Sequence, residues 1–477
     1  MKINSDEPIG LMYISSYIKQ HLSGVKCEVF DWHISMLKLF KTYKNKENIY
    51  SKNIIIHELE EKIKKYKPDV VGISALYELN SNIALEVAKI IKDMNKDIII
   101  VMGGMYATTY YQELKKNNNI DYVVYGEGEY NFYLIIKSLL GYLGEHEESD
   151  FAWCGVKKLD SLPLPDRSTI PIGEYSIIGR TVVDRVYKEN CRVAIIQISR
   201  GCPQKCSYCS GHTISNRNYR TRSIESIVDE IKMLQKKYDI EVFLFNEENP
   251  SVNMKHTKEL YKALMPLNIK WISNSGFYVS NMDKEFAELA IKSGLLYFNL
   301  AFESGSKRML KIMNKSEKII DNAENVMKWI RDVKNDIYVI GFYMFGFVDE
   351  TWQDVNLSIE FMKKLDLDWY QINMLQAFKG SSLYEDYKEK GYLKQKKNNE
   401  LHYIESTIQG SIINPKELSD YIYKKVNIDL NFKNNRCMRV GNYAQVKRDM
   451  AHILNITNNS HVWAKKILDK INKIGRK

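Results

Sequence analysis

Two stretches in which β-rich runs alternate with helical periods constrain this chain more than any other feature. Between about Ile9 and Leu140, Leu11, Ile14 and Ile18 repeat at i, i+3 and i+7, the spacing of one helix face. Strands are expected at Cys27–Asp31, Asp69–Ser74, Asp97–Met102 and Tyr122–Tyr125, with helices over Ile54–Tyr66, Asn82–Met94 and Glu129–Leu140. Apolar strands separated by helices predict a parallel sheet covered on both faces. Its turns carry Gly72-Ile73-Ser74, Gly103-Gly104 and Gly126-Glu127-Gly128-Glu129. They lie at strand C-termini, where open α/β sheets bind ligands and glycine lets backbone approach closely.

A second alternation begins at Arg192. Strands are expected at Val193–Ser199, Glu241–Phe245, Lys270–Ser275, Tyr297–Phe302, Ile337–Phe345 and Tyr370–Leu375. Helices fall near Ile224–Tyr238, His256–Leu264, Lys284–Ser293, Glu317–Val333 and Gln353–Leu365, with Ser223, Asp283 and Ser316 at N-cap positions. Six βα repeats imply a barrel or partial barrel with its site at the strand C-termini. Residues 141–190 hold Pro163, Pro165 and Pro171, lack a clear period and read as a linker; only helix-like segments follow Leu393. The expected division is 1–140, 141–190, 191–393 and 394–477.

At 477 residues, with 44% apolar and 27% charged side chains, a largely disordered chain is excluded. No apolar run reaches the ~18 residues of a spanning helix, and Met1–Glu7 has no signal-peptide core, so no membrane span and a cytoplasmic location are expected. The net charge is +10, of which +9 falls between Phe432 and Lys477. This basic tail reads as a solvated helical segment closing the barrel mouth. Tyr443, His461 and Trp463 among its cations also permit base stacking, but nucleic acid is not an expected partner.

Seven cysteines lie at 27, 154, 191, 202, 206, 209 and 437, and three of them crowd into eight residues. An odd, scattered set without secretory context is no disulfide framework. Cys202, Cys206 and Cys209 follow the first barrel strand in a C-x3-C-x2-C arrangement. Soft thiolates select zinc or iron–sulfur clusters. His212 keeps a Cys3His zinc site open. A four-iron cluster on three thiolates leaves one iron free, which a catalytic centre requires.

With Tyr208 as the aromatic of C-x3-C-x-aromatic-C, this loop resembles that of the radical SAM superfamily. Phe302-Glu303-Ser304-Gly305-Ser306 resembles the family's ribose- and methionine-contacting turn. The strand through Gly341 and the turn Met344-Phe345-Gly346-Phe347-Val348-Asp349-Glu350 resemble its adenine-side I-x-G-x-P-G-E, with Val348 and Asp349 replacing Pro-Gly. Lys379-Gly380-Ser381-Ser382-Leu383-Tyr384 is similar to P-G-T-x-L-Y without its proline. Asn246-Glu247-Glu248-Asn249 stands where the family meets the SAM amino group.

The N-terminal turns, in order, resemble the cobalamin-binding domain that precedes many such barrels. The resemblance implies cobalamin contacts at Ser74, Gly103, Gly104, Gly126, Glu127 and Gly128, and Leu162-Pro163-Leu164-Pro165-Asp166-Arg167 is similar to the linker of that group. It spans roughly Pro8 to Leu393, about four-fifths of the chain. Asp31-Trp32-His33 mimics the start of the cobalt-ligating D-x-H-x-x-G, but Met36 replaces its glycine and His33 is not read as a ligand. Only Met1–Pro8 precedes the first helix. The expected fold is therefore a flavodoxin-like (Rossmann-like) parallel sheet lacking its first strand, then a partial (β/α)6 TIM-type barrel and a C-terminal helical segment.

By resemblance, the chain is a radical SAM enzyme that cleaves S-adenosylmethionine at a [4Fe-4S] cluster to give a 5′-deoxyadenosyl radical. Cobalamin-dependent methyl transfer to an unactivated carbon or phosphorus centre is the leading activity. An oxidative cyclase or rearrangement enzyme is the second, and an inert corrinoid or iron–sulfur binding protein the third. A small-molecule or natural-product substrate and an external flavodoxin- or ferredoxin-type electron donor are implied. A methylthiotransferase needs three further N-terminal cysteines, and only Cys27 stands there.

Overall fold

The computed structural model describes residues 7–31, 52–76, 78, 81–142, 155–175, 183–187, 191–394 and 408–432. The basic tail, and His33 with Met36, lie outside them. The first described helix is Ile9–His21, followed by Lys52–Tyr66 and Ser81–Met94. Three parallel strands, β1 (Val70–Ser74), β2 (Ile99–Gly103) and β3 (Tyr122–Val123), form one sheet in that order. Val70 pairs with Ile99, Ser74 with Gly103, and Met102 with Val123.

Cys27–Asp31, expected as a strand, pairs with nothing in a ladder. The reason is topological. In a flavodoxin-like order this segment would hydrogen-bond only to a first strand, and no described residue forms one. Val25 and Cys27 instead pack beside Ile18, Leu22 and Ile136. Helix Gly128–Leu139 covers the same face, with Phe132 over Gly72.

The second unit holds β4 (Val193–Gln197), the short strands β5 (Ser199–Arg200) and β6 (Arg220–Thr221), then β7 (Val242–Asn246), β8 (Lys270–Ser273), β9 (Tyr297–Glu303), β10 (Tyr338–Phe345) and β11 (Trp369–Met374). Two parallel three-stranded ladders, β4-β7-β8 and β9-β10-β11, are joined by bridges at Trp271–Leu295 and Phe277–Leu300. Side chains on a strand alternate faces. One face, including Ala194, Phe243, Trp271, Phe298 and Val339, packs under the helices. The other, including Val193, Ile195, Leu244, Ile272, Tyr297, Ile340 and Trp369, fills the barrel floor together with Val183 and Cys191. Ser223 and Asp283 cap their helices as expected. Ser316 does not occupy the cap position, because the helix Lys318–Val333 begins one residue later, after Glu317. Its hydroxyl still accepts from the Lys318 N–H at 3.3 Å.

An open barrel leaves two bare strand edges, and such edges invite pairing with other chains. Here side chains imitate the missing strands. On β4 the Ile195 N–H donates to Glu7 (2.6 Å), and its C=O accepts from Arg167 (2.7 Å). On β11 the Tyr370 N–H donates to Asn431 Oδ1 (2.9 Å), and its C=O accepts from Asn431 Nδ2 (3.0 Å). Arg167 also binds Glu230 at 2.8 Å, which Arg222 shares. Its neighbour Asp166 holds Ser15 (2.7 Å) and Lys19 (2.6 Å) of the first helix. The linker dipeptide thus ties the first helix to the barrel edge.

Removing one member of a buried charge group leaves its partners uncompensated, at a cost of ~3–5 kcal/mol. Arg167→Ala is expected to lose stability on that scale in urea unfolding. Asn431→Ala, which withdraws neutral hydrogen bonds, is expected to lose ~1–3 kcal/mol.

Candidate functional site

The three clustered cysteines sit on the loop between β5 and β6, which pair antiparallel through Ser199–Thr221 and Arg200–Arg220. That ladder closes the loop at its base. Gly201 begins it at φ +86°, where a Cβ would overlap the Asn218 carbonyl. Only glycine fits there. The loop is then sewn to the barrel rim. Asn314 donates to Lys205 O (2.7 Å), Ser207 N–H to Met313 O (3.0 Å), and Leu383 N–H to Ser207 O (2.9 Å). Cys209 N–H donates to Cys206 O at 3.2 Å.

Cys202 and Cys206 are half-buried and Cys209 is exposed. Burial pushes the Cys202 and Cys206 thiols up; Asn249 hydrogen-bonds Cys202, and the Lys315 charge opposes the rise at Cys206. Cys209 raises both, and Cys202 also raises Cys206. Among the described residues, no three His, Cys, Asp or Glu side chains converge on one ion position.

Tyr208 donates to Glu303 at 2.8 Å, and Lys315 reaches the same oxygen at 3.2 Å while standing 4.8 Å from the Tyr278 ring. Glu303 ends β9 at φ +65°, a left-handed conformation uncommon for a side-chain-bearing residue and one that aims it at the cysteine loop. Ser304 is buried and bonds Ser358 at 3.0 Å, which fixes the turn. Gly346 donates to Glu350 at 2.6 Å. Gly341 lies mid-strand on β10 and turns toward Leu367 and Phe302 of the outer core. Glu247 is buried at the end of β7 and Glu248 beside it is exposed; burial, with Glu248 adding, pushes Glu247 up to about 8.

At the first sheet, Ser74 and Gly103 end β1 and β2. Gly104, at φ +101°, lies where a Cβ would come 2.5 Å from Ala75 O. Gly126 N–H donates to Thr108 (3.0 Å), and Gly128 packs on Ile14. Glu127 turns to the barrel. It binds Arg220 and lies 3.4 Å from Arg200, which also holds Glu129 at 2.6 Å and stacks over Tyr13. The turn after β3 is therefore clamped to the ladder at the base of the cysteine loop. A second contact sets helix Met105–Thr109 against His212–Ser215, with Lys379 paired to Glu113 and over the Tyr110 ring.

Sequence reading missed Lys315 and Arg220, which reach the site only through folding. It named Asn249 and Glu129 inside their motifs, and Arg200 adjoins the cysteine run, but it gave the Glu129 and Arg200 side chains no role.

Two tests follow from this geometry. Gly201→Ala is expected to lose iron loading, by iron-to-protein ratio, together with more than ~1 kcal/mol of stability. Burial pushes Glu350 up to about 8 from an ordinary value of 4.5. The folded chain thus keeps a proton that the unfolded chain releases, so this contribution is full below about 4.5. It then fades as pH rises through about 8, by at most ~1.4 kcal/mol per unit. Melting temperature should fall between pH 5 and 8, and Glu350→Gln should flatten that slope.

A family model described as a B12 binding domain matches residues 6–136, and one for the radical SAM superfamily matches 196–362. An uncharacterised methyltransferase of Pyrococcus horikoshii is 27% identical, over 70% of this chain and 72% of its own. Cytidylyl-2-hydroxyethylphosphonate methyltransferase of Streptomyces wedmorensis is 23% identical, over 71% and 68%. The anaerobic magnesium-protoporphyrin IX monomethyl ester cyclase of Rubrivivax gelatinosus is 28% identical, over 65% and 56%. Among solved structures, the cobalamin-dependent S-adenosylmethionine radical enzyme OxsB superposes with TM-score 0.66 at 15% identity, over 99% of this chain and 73% of its own. The radical S-adenosylmethionine methyltransferase TsrM of Kitasatospora setae gives 0.62 at 16%, over 87% and 80%. The chain belongs to the radical SAM superfamily, with a B12-binding domain ahead of the radical SAM domain, and the cofactors of that arrangement are a [4Fe-4S] cluster, S-adenosylmethionine and cobalamin.

Proposed function

We infer that this chain is a cobalamin-dependent radical SAM methyltransferase acting on an unactivated centre of a small molecule. The observation that carries the reading is the clamp between the two domains. The glycine turns of the first sheet and the cysteine loop belong to one interface, fastened by Glu127, Glu129, Arg200 and Arg220. Methyltransferases among the relatives favour transfer over cyclisation.

The donor set suits the cofactors. One thiolate per iron keeps cluster ligands apart, so three thiols need not converge on a single point, as they must for zinc at ~2.3 Å. Cys202, Cys206 and Cys209 are the ligands in this reading. Ser74, Gly103 and Gly104 offer a side-chain-poor ledge for a large planar cofactor. When bound, cluster and SAM supply one-electron cleavage of a carbon–sulfur bond, and the corrinoid supplies a transferable methyl group.

The chain's own residues bind and orient. Tyr208 and Lys315 hold Glu303 in place beside the loop. Buried Glu247 and exposed Glu248 face the position of the SAM amino group, Gly346 and Glu350 shape the adenine side, and the floor of the barrel excludes water. No described helix is long and apolar enough to cross a membrane. An external flavodoxin- or ferredoxin-type donor reaching the exposed Cys209 side, in the cytoplasm, completes the reading.

Reconstituted protein incubated anaerobically with SAM and dithionite should release 5′-deoxyadenosine. Cys202→Ala, Cys206→Ala and Cys209→Ala should each abolish release and cut iron content several-fold while keeping corrinoid absorbance. Full iron loading with no product from the wild type would favour the binding-only alternative.

A further inference from the structure

Above its apolar floor, the inner wall of the barrel changes chemistry. Gln197 follows Val193 and Ile195 on β4, and Asn246 follows Val242 and Leu244 on β7. Asn274 lies two residues past Ile272, and Asn299 two past Tyr297. Gln371 and Asn373 lie two and four past Trp369. With a side-chain period of two, all six carboxamides share the face of the floor residues. Gln197 stands opposite Asn246, Gln371 opposite Phe342, and Asn373 opposite Met344.

Three of these amides form a chain. Asn246 Nδ2 donates to Gln197 Oε1 (3.0 Å), and Asn274 Nδ2 donates to Asn246 Oδ1 (2.6 Å). Asn274, Gln371 and Asn373 are solvent-exposed despite facing inward, so the chamber is open to water. Asn299 is only 7% exposed; its Nδ2 donates to Ser273 O at 3.3 Å, while its Oδ1 is buried without a hydrogen-bond partner. Such an acceptor stays unsatisfied, at a cost to the folded state, until a donor reaches it.

Below the rim formed by Glu247, Glu248 and Glu303, the wall is also uncharged. The inward positions 197, 246, 274, 299, 301, 342, 344, 371 and 373 hold amides, Ala301, Phe342 and Met344, with no lysine or arginine among them. The nearby cation Lys315 is already held by Glu303. An anionic group here would find no counter-charge, and an apolar one would leave the amides unpaired. Resting on the reading that the barrel mouth is the reaction site, we propose that the chamber takes its substrate by an uncharged, hydrogen-bonding group rich in hydroxyls or amides. Asn299 accepts from that group, and Asn274, Gln371 and Asn373 are the groups that set specificity.

Saturation-transfer NMR on the reconstituted full chain with SAM tests this with four probes: maltotriose, N-acetylalanine amide, 2-hydroxyethylphosphonate and indole. Transfer to maltotriose or to the amide is expected, and which of the two responds separates a hydroxyl-rich from a peptide-like ligand. The exposed pair Asn274→Leu and Gln371→Leu should weaken it at least fivefold with melting temperature unchanged; each single variant should weaken it in part. Stronger transfer to the phosphonate or to indole, no transfer to either neutral probe, or an unaltered signal in the folded variants overturns the inference. The same wild-type samples report 5′-deoxyadenosine. Neutral-probe binding without that product removes the enzymatic reading and leaves the chamber chemistry standing, and the converse result does the reverse.

Discussion

Four charges at one seam, three buried and one nearly so, hold the working parts of this protein in register. Glu127 and Glu129 leave the last turn of the first sheet and meet Arg200 and Arg220 on the ladder that closes the cysteine loop. Desolvating such groups offsets much of their attraction, so their contribution lies in geometry more than in stability. Each carboxylate is satisfied in one arrangement of the two domains, and any slip strands a charge. A site assembled from two domains needs that kind of constraint, because apolar surfaces alone tolerate sliding.

The same economy governs the barrel. Six strands do not close, and the two bare edges are covered by Glu7 and Arg167 at one side and by Asn431 at the other. The gap that remains is an asset, since it gives the inner wall room for an open chamber. Below, Val193, Tyr297 and Trp369 pack the floor; above, the wall turns to amides, so water and ligand meet only the upper layer.

Much of this was legible in the residues. The helix periods and apolar runs placed the parallel strands of both units, missed the short antiparallel pair β5–β6, and added a strand at Cys27–Asp31 that does not form; the crowding of Cys202, Cys206 and Cys209 announced a soft-metal site. Cys27–Asp31 has a strand's composition but no ladder partner, and composition cannot report a partner. Ser316 was off by one residue because a hydroxyl can serve a helix start from either of two positions. Glu127 stood in a glycine turn that reads as a ligand ledge, yet its carboxylate faces two arginines that are ~70–90 residues away in sequence.

Local pattern by itself determined the two βα units, their glycine corners and the thiol trio, because periodicity and spacing are properties of neighbours along the chain. Tertiary structure alone decided that Lys315 stands by Glu303, that Asn431 finishes β11, and that amides from separate strands line one chamber. Those contacts join residues far apart in sequence, and the free energy that selects them exists only once both sides have been withdrawn from water.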